Sequence, residues 1–373
     1  MSSVISAKFG ADYGLKVVLT PPTSAERRPR LGILMPDGLG PHRSRRYPSQ
    51  RVIEFPEICA RIVRDVSVFK SYVPFGPEGI YMDNSMYSYV ANNISGIAGI
   101  VKEYEAAVQA AATAEDVVVK ESVILTSNEG SGTWGHWVAH NFPKIVLAAR
   151  LLPDSKIAVP AGYANARSNF GALLAMSGLN PNRILYTNDK IVYRLDEAIF
   201  VDFLYHEKSI HPLSLDIFGE VASHLEEQTG NTTRKMYLSR TTPGKREIVN
   251  ADQVGDILHG SGFRSVTLGA EPLATQVAYW QEATMVCSVL GSDLTNILFG
   301  NENCSVMAIT PDWFFDIFFF DLAAAKGMVW NELYCGKMVQ EKVPSHLSSF
   351  IVQEDALRNF IAACEAPILK ETS

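Results

Sequence analysis

From residue 122 onward the chain alternates short apolar runs with helix-length segments, and few folds accept that pattern. The runs 122–126 (SVILT), 156–159 (KIAV) and 183–186 (RILY) read as buried strands. Between them, 134–152 reads as a helix stopped by Pro153, and 165–176 as a helix ended by Gly178. A second series follows, with strands at 236–239, 265–268, 285–290 and 306–309. Helices are expected at 214–228, 250–259, 273–282 and 293–299, with Asn250 and Gln253 forming a capping box at the start of the second. Apolar strands separated by helices imply parallel sheets with crossover helices. A chain of 373 residues suggests two domains. The alternation therefore predicts an α/β protein of two Rossmann-like domains facing a cleft, with the boundary near 205–213.

The first part of the chain differs. Residues 1–50 are rich in proline and carry the basic run HRSRR at 42–46, which reads as loops between short strands. Residues 51–95 suggest strands joined by Pro/Gly turns, and 101–114 a helix. The expected organisation is a β-rich N-terminal extension (1–118), a first Rossmann-like domain (119–208) and a second (209–345). A C-terminal segment (346–373) follows, with an amphipathic helix at 350–364 that packs back on the first domain.

A net charge of -7 argues against a nucleic-acid partner. The five cysteines lie far apart and never as CxxC, which indicates neither a disulfide framework nor a zinc site and fits a reducing compartment. The N-terminus lacks the basic and apolar regions of a signal peptide, and no apolar run is long enough to span a bilayer. A soluble, cytoplasmic protein is expected, with peripheral membrane association left open.

Two stretches carry polar groups at strand ends, where open α/β sheets bind ligands. Tyr237-Leu-Ser-Arg240 delivers a cation, with Lys245 and Arg246 close behind. Gly291-Ser-Asp-Leu-Thr-Asn296 supplies Gly291, Ser292, Thr295 and Asn296 where a helix should begin, and free N–H groups there suit an anion. Together they suggest a diphosphate site and a nucleotide-activated donor. A third stretch, GHWVAHNFP (135–143), sets His136 and His140 at i, i+4 on one helix face. The pair is open to three readings: metal ligands, an acid or base at a strand-to-helix turn, or hydrogen-bonded structural histidines. No HExxH glutamate and no DxD triplet accompanies them.

GHWVAHNFP resembles the HW(L/F)xxxxP element of glycosyltransferase family 61, the DUF563 group. YLSR followed by REIVNADQV is similar to that family's Y(I/L)SR segment, Glu271 to its acidic residue before a helix, and VLGSDLTNILF to its GAGLTNxLF segment. The resemblance spans roughly 120–310. It implies a GT-B fold, a nucleotide-sugar donor (UDP-linked in the main reading), a glycan acceptor, inversion at the anomeric carbon and no metal or other cofactor. It also implies work on a surface polysaccharide or capsule. Carried over, Arg240 meets the diphosphate, with Lys245 and Arg246 beside it. Gly291, Ser292, Thr295 and Asn296 line the donor pocket, and Glu271 binds the ribose or orders its loop. His140 stands where many relatives have a carboxylate and becomes the candidate base, supported by His136. Leu290 replaces a histidine, and Ser292-Asp293 replaces Ala-Gly. These departures keep two alternatives open: a non-catalytic glycan- or nucleotide-binding protein with a decayed site, or another Rossmann-type nucleotide-sugar enzyme. The absence of GxGxxG speaks against the latter.

Overall fold

The computed structural model describes residues 7–9, 13–39, 47–82, 94–164, 168–223, 234–239, 246–339 and 347–366. In chain order its strands are β1 (Ala7–Phe9), β2 (Leu15–Thr20), β3 (Thr23–Arg27), β4 (Arg30–Pro36), β5 (Arg51–Phe55), β6 (Ile58–Phe69), β7 (Val73–Gly76), β8 (Gly79–Met82), β9 (Glu115–Leu125) and β10 (Lys156–Pro160). They continue as β11 (Ile184–Thr187), β12 (Ile191–Val201), β13 (Tyr205–His206), β14 (Ser209–Ile210), β15 (Lys235–Leu238), β16 (Arg264–Val266), β17 (Met285–Val289), β18 (Ser305–Pro311) and β19 (Val329–Cys335). The fold is mixed α/β, and the chain divides into two compact units.

The first unit comprises 1–24, 54–206 and 211–217. Its sheet runs β1-β8-β7-β6-β12-β9-β10-β11, with β2 also paired to β6. β12, β9, β10 and β11 are mutually parallel, and β6 runs antiparallel to β12. This sheet is forced to coil. β11 ends with Thr187 opposite Pro160, beside the Leu125 end of β9. β12 then begins with Ile191 opposite Glu115, at the other end of β9. A straight strand of that length spans about 33 Å, whereas the intervening residues 188–190 reach no further than roughly 14 Å. The two ends of β9 must therefore approach each other. A register shift between Leu195 and Glu197 relieves the bend, as β-bulges do. Val68, Val119, Leu125, Tyr193, Leu195 and Phe200 fill the inside of the coil as one core.

The second unit comprises 25–53, 207–210 and 218–373. Its six strands are all parallel, in the order β16-β15-β17-β18-β19-β4. Alternation places Tyr237, Cys287, Val289, Met307, Ile309 and Leu333 in one core with Val254, Ile257 and Leu258 of helix Ala251–Gly260. Met236, Leu238, Val286, Val306 and Ala308, the intervening residues, are equally buried. That two-sided burial is why these strands read as continuous apolar runs.

Two expectations about the ends of the chain are corrected. Residues 1–118 do not stand apart as an extension. β4 joins the second unit's sheet beside β19, while β1, β2 and β6–β8 join the sheet of the first. The reason lies in Gly32, which leaves room for Asn331: its Oδ1 accepts from Ile33 N (2.8 Å) and its Nδ2 donates to Ser305 Oγ (2.8 Å). The C-terminal helix, Glu354–Glu365, packs in the second unit rather than on the first. Leu357, Phe360 and Ile361 enter the core formed with Tyr237 and Cys287. The capping box is corrected too. Asn250 makes no cap and instead pairs both ways with Val352, through Nδ2 to O (2.8 Å) and from N to Oδ1 (3.1 Å), which ties the C-terminal segment down. All five cysteines are unpaired. No described helix is long and apolar enough to cross a membrane.

A methyl group at position 32 would run into Asn331 Oδ1, and Asn331 is pinned by its other bonds. Gly32→Ala should therefore cost about 1–3 kcal/mol of stability. Chemical denaturation of the purified chain checks this, and an unchanged midpoint would show that β4 does not make this close approach.

Candidate functional site

In the second unit the chain leaves β15, runs through helix Ala251–Gly260 to β16 on one side, then through helix Leu273–Glu282 to β17 on the other. The strand order thus reverses between β15 and β17, and the carboxyl ends of strands at such a reversal are where open α/β sheets bind ligands. Ser239 follows β15 there, its Oγ 3.1 Å from Thr267 Oγ1, which follows β16. Gly291 and Ser292 follow β17. Arg240 and Lys245, expected beside them, lie outside the described residues.

Residues 292–299 form a 3-10 helix rather than an α-helix, with Gly291 extended before it and its carbonyl accepting from Leu294 N (2.9 Å). Ser292 and Asp293 are half-buried, whereas Thr295 and Asn296 are fully buried. Asn296 Nδ2 donates to Gln276 Oε1 (2.8 Å), and Gln276 Nε2 donates to the Glu271 carbonyl (2.9 Å). Asn296 is therefore engaged with its own unit, and the Glu271 main chain joins the same relay. Arg246 sits over the Phe314 ring, 4.3 Å from its centroid, with a left-handed backbone (φ 52°). The sequence reading missed Gln276, although a signal was present. Leu273, Gln276, Val277 and Trp280 share the buried face of one helix, and Gln276 is the polar member.

In the first unit the order also reverses, between β9 and β12. The helix after β9 begins at Trp134–His136, passes through a π turn at Trp137–Asn141 and continues as Phe142–Leu151. Pro143 explains the turn, because it has no N–H to return to the Ala139 carbonyl. Phe142 N reaches back five residues to Trp137 O instead. Asn141, in that turn, donates to Ser131 Oγ (2.8 Å), and Ser131 Oγ accepts from Asn128 N (2.7 Å), so the helix holds the loop after β9.

The two histidines meet, with Nδ1 atoms 3.3 Å apart. His136 is half-buried and lies against Gly130, where a Cβ would come within 3.2 Å of its ring. His140 is 8% exposed and packs on Phe203 and Tyr205, with ring centroids 4.8 and 4.5 Å away, in the segment that follows β12. Lys144 is fully buried one turn further on, its ammonium 4.9 Å from the Phe203 centroid. Burial, then the neighbouring His136 and Lys144, hold the His140 pKa well below the ordinary histidine value. His140 is therefore neutral, and of the two rings His136 is the more accessible. Among the described residues no group of three His, Cys, Asp or Glu side chains is arranged to hold a metal ion.

Residues 134–307 match the family model described as Glycosyltransferase 61, a little under half of the chain. The match opens on the histidine helix and takes in the strand end at Ser239, Glu271 and the 292–299 helix. No curated protein matches the chain.

Asn296→Ala should leave the buried Gln276 amide oxygen without its donor and cost about 1–3 kcal/mol, read as a lowered denaturation midpoint. A loss of a few tenths would mean the relay contributes little. For His140 the sign follows from its depressed pKa. Above about pH 6.5 both folded and unfolded chains carry a neutral ring. Below it the unfolded chain takes a proton that the folded chain refuses, so stability falls as pH drops from there. His140→Gln should flatten that fall in denaturant titrations between pH 8 and 5, and an unaltered slope would contradict the buried neutral ring.

Proposed function

Residues 134–307 belong to glycosyltransferase family 61, and from that premise we propose an inverting, metal-independent transfer of a sugar from a UDP-type nucleotide donor to a glycan acceptor. The family supports glycosyltransferase activity as such. The donor class, the inversion, the GT-B organisation and a role in surface-polysaccharide assembly are parts of the proposal. The reading rests above all on one observation: the strand-order reversal between β15 and β17 falls between two of the segments that carry the family resemblance, at Ser239 and at Gly291–Ser292.

In the proposed reaction the acceptor oxygen attacks the anomeric carbon as its proton passes to a histidine. The bond from that carbon to the diphosphate breaks, and the electron pair leaves with the diphosphate. Arg240 and the N–H groups at the start of the 292–299 helix receive the developing negative charge. His136 takes the proton, since a base must reach the acceptor and His140 is almost wholly enclosed. His140 serves as its positioning partner. With His136 Nδ1–H donating to the neutral His140 Nδ1, the His136 Nε2 lone pair is left to act as base. This revises the assignment of the base to His140.

Arg240→Ala, titrated with UDP and the other nucleoside diphosphates in EDTA, should lose about 1.5–3 kcal/mol of affinity. Unchanged affinity in a folded variant, or binding that appears only with Mn²⁺, would overturn the donor site as drawn. His136→Ala should lower turnover by about 10²–10⁴-fold with little change in donor affinity. Should His136→Ala turn over normally while His140→Ala does not, the two histidines would exchange roles.

A further inference from the structure

The coiling of the first sheet creates a cavity that the donor and histidine sites do not use. It has a volume of about 550 Å³ and is open to solvent. One wall is the turn 70–72 between β6 and β7. The other is made by the loops that follow β9, β10 and β11, at 127–132, 160–162 and 187–190. We propose that this cavity binds a neutral saccharide, as the subsite for the glycan acceptor. The ligand class rests on the cavity alone, and the acceptor role rests on the transferase reading.

Four observations carry the ligand class. The first is the loop after β9, Asn128-Glu129-Gly130-Ser131-Gly132, which has the look of a phosphate cradle. Three of its five N–H groups are already engaged, Asn128 N on Ser131 Oγ (2.7 Å), Gly130 N on Asn128 Oδ1 (3.0 Å) and Ser131 N on Asn128 O (3.1 Å), as is Thr133 N after it on Gly130 O (2.9 Å). A loop largely closed on itself in this way makes a poor nest for an anion, which needs successive N–H groups pointing to one side. The second is charge. Lys70 and Lys190 are matched by Glu129 and Asp189, so the cavity has no net field to favour a phosphate or a uronate. Carboxylates are instead good acceptors for sugar hydroxyls.

The third is Ser127, whose Oγ is buried against the cavity with no hydrogen-bond partner among the described residues. A buried hydroxyl without a partner is costly, and a ligand hydroxyl would satisfy it once the Ser127 side chain rotates toward the cavity. The fourth is the opposing turn. Lys70 and Ser71 both adopt left-handed backbone (φ 51° and 62°), an unfavourable conformation for residues with a Cβ. Ser71 Oγ holds the turn in place by donating its one proton to Asp189 Oδ1 (2.7 Å), with the Thr187 carbonyl 3.2 Å away. The turn presents Tyr72, whose hydroxyl is fixed on Glu103 Oε1 (2.8 Å), leaving a stationary ring beside the polar groups. An immobilised aromatic ring next to fixed acceptors suits a pyranose, which has apolar C–H faces and an equatorial rim of hydroxyls. The same loop lies against His136 through Gly130, which puts a saccharide held here one loop away from the proposed base.

The test is made without donor, so that a chain that transfers nothing still reports on the cavity. Neutral methyl pyranosides of glucose, galactose, mannose and xylose, methyl glucuronide and inorganic phosphate are offered to the full chain, with binding read by saturation-transfer NMR. At least one neutral pyranoside should bind, and Ser127→Ala and Tyr72→Ala should each weaken it roughly three- to tenfold. Where Tyr72→Ala fails to fold, judged by circular dichroism, Ser127→Ala and Lys70→Gly carry the comparison. Lys70→Gly should alter affinity while relieving the strained turn. Absence of binding by every neutral glycoside overturns the proposal. So does affinity unchanged across the variants, or preferential binding of phosphate or glucuronide. With a working donor the same variants should raise the acceptor KM more than they lower kcat, and the reverse pattern would deny the cavity its acceptor role.

Discussion

The second unit turns on a buried carboxamide. Gln276 lies at 2% exposure on helix Leu273–Glu282, and its two ends join the Glu271 carbonyl, before the helix, to Asn296, after β17. Asn296 is fully buried and has no water to fall back on, so the relay ties together the two connections that flank the strand-order reversal. In a low-dielectric interior such a network is costly if broken and specific if complete. The turn at Gly291–Ser292 consequently stands on a rigid support. Asn296, which in the sequence looks like a ligand contact, forms part of that support.

This is also where the sequence is least transparent. The alternation of apolar runs identified the strands of the second sheet because both of its faces are covered, and burial on both faces leaves a period-free apolar signature. It could not show that β4 belongs beside β19, since the short apolar stretch Leu31–Met35 around Gly32 looks like any loop-flanked strand. The partner that selects it, Asn331, lies 298 positions from Ile33. The fate of Asn250 was hidden for the same reason. Its local context spells a helix cap, and a distant backbone, that of Val352, outcompetes the cap. Polar side chains were legible as important and not as to why. His140, Lys144, Gln276 and Asn296 all occupy interior positions of apolar faces, and only geometry separates a residue that meets a ligand from one that holds a loop.

The first unit depends on a different constraint, the short link 188–190 between strands that would otherwise be a crossover apart. The coil it enforces gathers the ends of β9, β10 and β11 against the β6–β7 turn. Pro143 has a comparable effect on the helix after β9. By interrupting the regular ladder it creates the π turn in which His140 and Asn141 sit, one facing His136 and the other holding the loop that packs beneath it. Two small departures from regular geometry thus organise the polar features of this unit.

β4 is made almost 300 residues before its neighbour β19. At a translation rate of roughly 5–20 residues per second, that interval is about 15–60 seconds. Closing so long a loop adds little thermodynamic cost, because the penalty grows only logarithmically with length, but it makes the pairing one of the least local in the molecule and hence slow to form. Throughout that wait the backbone of β4 offers an unmatched edge, with Leu31 outward even in the finished fold. The nascent chain therefore carries a hazard of mispairing at this strand, well before the segment that completes it exists.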